Sequence, residues 1–333
     1  MIFHPAVIAL LAASAINALV LLAGSLFAVH LLRHWDLASG HERQIRLERQ
    51  TYLVATAIAL VLAIQFVALL LFVYNAERMS VLFTGAMCAT GTLNVNAYGF
   101  PTLILKIAGF FLAVVWLALN QADNLARDYP LIRRKYALLI VIAPVFLAEA
   151  VVQALYFLNL SPNVITSCCG SLFSDTGAGV AADLAALPAR PALIGFYAVL
   201  LATLLAGLRL WRQGRGGRLF GLLSGVQFAT AVAAIVAFIS LYVYEHPHHH
   251  CPFCLLKADF DYIGYALYVP LFAATGYGLA AGILHPHLRI GSLAGVLPPL
   301  VRRHAGWAVA SLAAFGVLAS WLILASNLKL IAP

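Results

Sequence analysis

Of the 333 residues, 63% are apolar and only 10% are charged, against roughly 45–50% and about 25% in soluble domains. No water-soluble fold can hide that share of hydrocarbon, so the composition excludes a soluble enzyme or binding module. The net charge of +8 does not point to nucleic acid, because the basic residues fall in short clusters between apolar runs and not along a stripe with interleaved aromatics.

A membrane-spanning helix needs about 20 mostly apolar residues. Met1 to Val7 carries no Lys or Arg, and the apolar run that follows exceeds the roughly 7–15 residues of a signal-peptide core. It reads as a retained first helix, Ala6 to Leu32. Seven more stretches follow in order: Thr51 to Tyr74, Thr102 to Leu119, Ala137 to Leu160, Pro191 to Leu210, Leu219 to Tyr244, Tyr262 to Leu284 and Ala308 to Leu328. The expected fold is all-α, a polytopic bundle of eight transmembrane helices in a lipid bilayer, with residues 1–333 forming one membrane domain and no second polar folding unit.

The connections alternate in charge. Those between helices 1–2 (Arg33, Arg43, Arg46, Arg49), 3–4 (Arg127, Arg133, Arg134, Lys135), 5–6 (Arg209, Arg212, Arg215, Arg218) and 7–8 (Arg289, Arg302, Arg303) hold 15 of the 20 basic residues. The opposite side holds Arg78, Arg190, Lys257 and Lys329, while Lys106 lies within the third helix. By the positive-inside rule the first set is cytoplasmic and both termini are extracytoplasmic; a plasma membrane, the inner membrane of a bacterium, is the expected location. Trp35, Tyr136, Trp211 and Trp307 are expected at one interface, and Tyr74, Tyr242 and Tyr244 at the other.

All five cysteines fall in the three outer loops 75–101, 161–190 and 245–261: Cys88, then Cys168 and Cys169, then Cys251 and Cys254. Exported cysteines are commonly stapled into disulfides. Here the number is odd and two are adjacent; with Cα atoms about 3.8 Å apart they lie below the usual 4.4 Å disulfide minimum. Redox or ligand roles therefore stand beside stapling, and each role requires sulfurs from at least two loops to converge.

Cys251-Pro252-Phe253-Cys254 is expected to open the seventh helix, where the macrodipole favours a thiolate. The stretch CPFCLLK resembles the CPLCxxQR element of the DsbB family of quinone-coupled membrane thiol oxidants. The resemblance implies Cys251 and Cys254 as the quinone-facing pair and Cys168 and Cys169 as the pair that meets an extracytoplasmic thiol protein. Lys257 stands one place before the family's quinone-side arginine, whose matching position is Ala258, and the family has four helices. His246, His248, His249 and His250 immediately upstream place imidazoles beside these thiols, a donor set suited to copper or zinc and to delivery of metal to an extracytoplasmic client. The order of a lone Cys88, then Cys168-Cys169-Gly170, then a CxxC also resembles the CCG modules of heterodisulfide reductases. That likeness implies an iron–sulfur cluster in one subunit of a membrane electron-transfer complex with partner membrane subunits.

Glu149 lies near the middle of the fourth helix with Gln153 one turn on. An intramembrane carboxyl is a functional candidate, here a proton conduit, or else a partner for Lys106 or Gln65. Asp175-Thr176-Gly177 occurs once, whereas aspartic-protease chemistry needs two carboxylates. His30, His34, His41, His285, His287 and His304 cluster at the basic boundary, so no mid-membrane pair exists for a haem.

Overall fold

The computed structural model describes residues 3–36, 41–161, 166 and 180–330. Among these there is no strand, and eight helices are long and apolar enough to cross a membrane. They are α1 (Pro5–His34), α2 (Glu42–Met79), α3 (Gly99–Asp123), α4 (Ile132–Leu158), α5 (Ala189–Gln213), α6 (Gly217–Tyr244), α7 (Ile263–Leu284) and α8 (Leu297–Ala325). Number and order match the hydropathy reading, because 20 apolar residues have no alternative in lipid to satisfying their backbone polar groups within a helix.

The boundaries differ where polar residues also favour helix. α2 starts at Glu42 and not at Thr51; its first turns are built from straight-chain residues and carry an Arg46–Glu42 pair at 2.8 Å and a Gln44–Glu48 hydrogen bond at 3.1 Å. α8 starts at Leu297, with Pro298 and Pro299 in its first turn, where a missing N–H leaves no intrahelical bond unmade. It ends at Ala325, and the chain beyond is tied down by Asn327, whose backbone N–H and side-chain amide donate to Glu245 Oε1 at 2.8 and 2.9 Å.

The chain sorts into two compact units. The first comprises residues 1–78, 93–162 and 287–296, and so contains α1 to α4 except the last residue of α2; the second comprises 79–92, 163–286 and 297–333, with α5 to α8. In the first unit a core of Leu21, Ile58, Trp116, Leu139 and Phe146 joins α1, α2, α3 and α4. Trp35 and Tyr136, expected at a membrane interface, are instead buried in this core, with the Tyr136 hydroxyl donating to the Thr51 carbonyl at 3.1 Å. Trp211, Trp307 and Tyr74 are exposed, as belt residues should be.

In the second unit Phe196, Leu200, Phe238, Leu267, Leu271 and Phe315 form the core. α6 and α7 cross at Gly221 and Gly282, so closely that a Cβ on Gly282 would lie 2.6 Å from the Gly221 Cα. Small residues at such crossings let membrane helices pack by direct van der Waals contact. Both units leave large apolar side chains outside: Leu26, Val67 and Val141 in the first, Ile194, Leu222 and Val317 in the second. Exposed hydrocarbon of this kind is what a lipid-facing surface requires.

Candidate metal centre

The site begins with an irregularity in α6. Residues Ile235–Ile239 form a π-helical turn before regular helix resumes at Ser240–Tyr244, a feature frequent at functional sites. The His250 ring nitrogen Nδ1 lies 2.8 Å from the carbonyl of Val236 within that turn. A carbonyl only accepts, so in this bond Nδ1–H is the donor. α6 is closed by Glu245 in the left-handed region (φ 52°, ψ 30°), and the chain doubles back along its own last turn, with His246 N–H donating to the Leu241 carbonyl at 3.3 Å.

The return strings the CPFC stretch along aromatic supports. The Tyr244 hydroxyl donates to the Cys251 carbonyl at 2.6 Å and the Tyr268 hydroxyl, from α7, to the Pro252 carbonyl at 2.8 Å. Tyr244 also stacks with His249 and Phe260 at ring separations of 4.1 and 4.4 Å. The expected helix start at Cys251 is not observed. Cys254–Leu256 and Ala258–Phe260 are separate 3₁₀ turns, divided by Lys257 in extended conformation, and α7 begins only at Ile263, after Asp261 and Tyr262 at positive φ. The thiols therefore do not cap the transmembrane helix, and its macrodipole, which acts within the first turn, is not what tunes them.

The second part of the site is the segment 79–92. It turns at Gly85 (φ 88°), where an added Cβ would overlap the Thr166 carbonyl oxygen, and it delivers Cys88 just before the short helix Ala89–Leu93. Thr166 braces it, its N–H donating to the Thr84 carbonyl at 3.0 Å and its hydroxyl to the Gly91 carbonyl at 2.9 Å. The Lys257 ammonium donates to the Met87 carbonyl, tying the CPFC segment to the residue before Cys88.

These elements bring Cys88, Cys251 and Cys254 together. Their sulfurs all lie within 4.8 Å of one another, and the three residues are 0%, 0% and 6% exposed. Cys88 Sγ and Cys251 Sγ are 3.5 Å apart, too far for an S–S bond of about 2.05 Å; the Thr90 hydroxyl lies 3.2 Å from Cys251 Sγ. Tyr244, Phe253 and Phe260 pack around the sulfurs. An ion held at about 2.3 Å by thiolates in tetrahedral directions sets them roughly 3.8 Å apart, so the observed spread fits a metal with small side-chain adjustment.

Among the described residues no histidine belongs to this mutually close ligand set. His246 and His248 are exposed, His249 is half-buried against Tyr244, and His250 is buried with Nδ1 on the α6 carbonyl. Cys168, Cys169 and the Asp175-Thr176-Gly177 triplet lie outside the described residues. Glu149 belongs to the first unit, where it pairs with Lys106 at 2.6 Å. The supports Thr90, Thr166, Tyr244 and Tyr268 were not legible as site residues. Only Thr90, two positions from Cys88, gave a local hint; the others act through backbone carbonyls that any residue supplies.

Compared with protein-family models, curated proteins and solved structures, the chain finds no match.

Proposed function

We propose that the protein is a membrane-embedded metal-handling protein that holds a soft, thiophilic ion, copper(I) or zinc, on Cys88, Cys251 and Cys254. The observation that carries this reading is the three buried sulfurs within 4.8 Å of one another, drawn from two separate loops. Thiolate ligands select copper(I), zinc or iron–sulfur clusters over hard cations. Burial also argues against direct exchange with an exported protein thiol, which needs an accessible sulfur. His250, next to Cys251 in sequence, and Cys168 and Cys169, two and three residues beyond Thr166, are further ligand candidates. The arginine distribution supports an extracytoplasmic site in a plasma membrane, the inner membrane of a bacterium, and hence a client on that side.

A second reading rests on the 3.5 Å separation of Cys88 and Cys251 and on the DsbB-like CPFCLLK stretch. In it two of the three thiols form a disulfide, releasing two electrons and two protons to a quinone, which becomes the quinol, with Lys257 on the quinone side.

Metal and thiol analysis of protein purified without oxygen tests both. A stoichiometric copper or zinc ion, lost together with protection of the three thiols from alkylation, supports the first reading. Metal-free protein whose thiols are oxidised by a soluble quinone and re-reduced by a dithiol overturns it in favour of the second.

A further inference from the structure

The first unit holds a polar cluster deep in its helices that the cysteine site does not use. Lys106 Nζ lies 2.6 Å from Glu149 Oε1, which also accepts from the Ser14 hydroxyl at 3.1 Å. The Gln153 amide donates to Ser14 Oγ and to the Leu10 carbonyl, both at 2.9 Å, and the Asn17 amide donates to Gln65 Oε1 at 3.1 Å. All six side chains belong to residues no more than 1% exposed. They form one patch: Ser14 and Asn17 share a face of α1, Glu149 and Gln153 a face of α4. Gly109, one turn from Lys106, is the point where a Cβ would meet both the Gln65 amide nitrogen and the Phe146 ring at 3.4 Å.

Four polar atoms in this patch have no hydrogen-bond partner among the described residues: Glu149 Oε2, Gln153 Oε1, Asn17 Oδ1 and Gln65 Nε2. Exchanging the oxygen and nitrogen of both Asn17 and Gln65 still leaves one donor and one acceptor there, so the imbalance of three acceptors against one donor survives that ambiguity. Buried polar atoms are costly to leave unpaired, more so where no bulk water reaches. A patch with surplus acceptors is complementary to a small positive ligand. The charged groups within it are Lys106 and Glu149 alone: α1 contributes Ser14 and Asn17, α2 contributes Gln65 and the Phe72 ring 5.5 Å from Lys106 Nζ, and α4 adds Gln153. The next buried pair, Asp123–Lys135, is 17 residues further along α3, about 26 Å by helical rise.

We propose that this cluster is an exchangeable proton-binding site within the membrane, with Glu149 Oε2 as the atom that takes up the proton. Donated by hydronium from the aqueous phase, which becomes water, one proton on Oε2 turns three acceptors and one donor into two of each. No electron is transferred. Lys106 Nζ keeps its contacts with Glu149 Oε1 and the Phe72 ring. The site thereby alternates between a neutral pair and a singly positive one, as a proton relay requires. It is independent of the thiolate reading.

The test is infrared difference spectroscopy of the whole protein in lipid, titrated with pH, using carbonyl-13C-labelled glutamate. Label restricts the signal to glutamate, and Glu149 is the one buried glutamate among the described residues, so Asp123 does not interfere. The expected result is a labelled carboxylic-acid carbonyl band that appears and disappears with pH, shifts in heavy water and is lost in both Glu149→Gln and Glu149→Asp, with an unlabelled aspartic-acid band taking its place in the latter. Should neither variant fold, the same titration in a background with Glu42, Glu48, Glu77 and Glu245 changed to Gln, where Glu149 is the one labelled side-chain carboxyl, still decides. A Glu149 carboxylate signal, the part of the labelled spectrum missing from Glu149→Gln or isolated in the four-Gln background, that is unchanged across the whole pH range over which the protein stays folded overturns the proposal and leaves a fixed ion pair. A carboxylate band that responds to sodium and not to pH overturns it in favour of a metal-cation site.

Discussion

Replacing Cys88 by serine separates a three-sulfur site from a CxxC acting alone. The side chain is 0% exposed and its sulfur lies 3.5 Å from that of Cys251, so serine keeps the shape and removes the soft ligand. Thiolate-rich structural zinc sites bind with apparent free energies of about 10–16 kcal/mol. Spread over three sulfurs, that is about 3–5 kcal/mol each, or at least ~100-fold in affinity at tenfold per 1.4 kcal/mol. The assay is competition with a chromophoric chelator on detergent-solubilised protein, for zinc and for copper(I). Thr90→Ala, which removes only the 3.2 Å hydroxyl contact to Cys251, is the control and should change affinity less than about tenfold, as loss of one net hydrogen bond implies. Cys88→Ser protein that binds as tightly as wild type, while Cys251→Ser does not, would refute the three-sulfur arrangement.

Adding chelator should lower the unfolding midpoint of the metal-loaded protein, since ligand at 100 times its dissociation constant contributes about 2.7 kcal/mol; a midpoint indifferent to chelator contradicts bound metal. Gly282→Val forces side-chain atoms onto the Gly221 Cα and should destabilise the second unit by about 1–3 kcal/mol or more, read by detergent unfolding, with wild-type stability counting against the crossing described. Lys106→Met leaves Glu149 buried without its cation and should cost about 3–5 kcal/mol, most of it recovered in Lys106→Met/Glu149→Met; additive losses would show that the two groups do not interact. Impermeant maleimide applied to intact cells should label a cysteine placed at Glu245 and spare one at Gly214 in a background lacking the native cysteines, and the reverse pattern would invert the topology.

Eight spans were readable because hydropathy summed over some 20 residues is a local property that no tertiary contact has to complete. The candidacy of Lys106 and Glu149 was readable for the same reason: a charge at membrane depth must find a partner, and few were on offer. Their union at 2.6 Å, and the recruitment of Ser14 and Gln153 around it, depended on how each helix is rotated about its axis, which the near-uniform apolar composition of the spans leaves unmarked. Trp35 and Tyr136 make the same point from the other side, since aromatic residues at a span boundary face lipid or core according to that rotation, and these two face the core. The CPFC stretch was conspicuous, but its conformation was not. Lys257 extended, with Asp261 and Tyr262 at positive φ, is a backbone path selected by the contacts of Tyr268 with Pro252 and of Lys257 with Met87. The meeting of Cys88 with Cys251 spans 163 residues of chain. Composition could show that cysteines were confined to loops, whereas their convergence belongs to packing, because sulfurs so distant in sequence share a site only when the helices between them have fixed where those loops emerge.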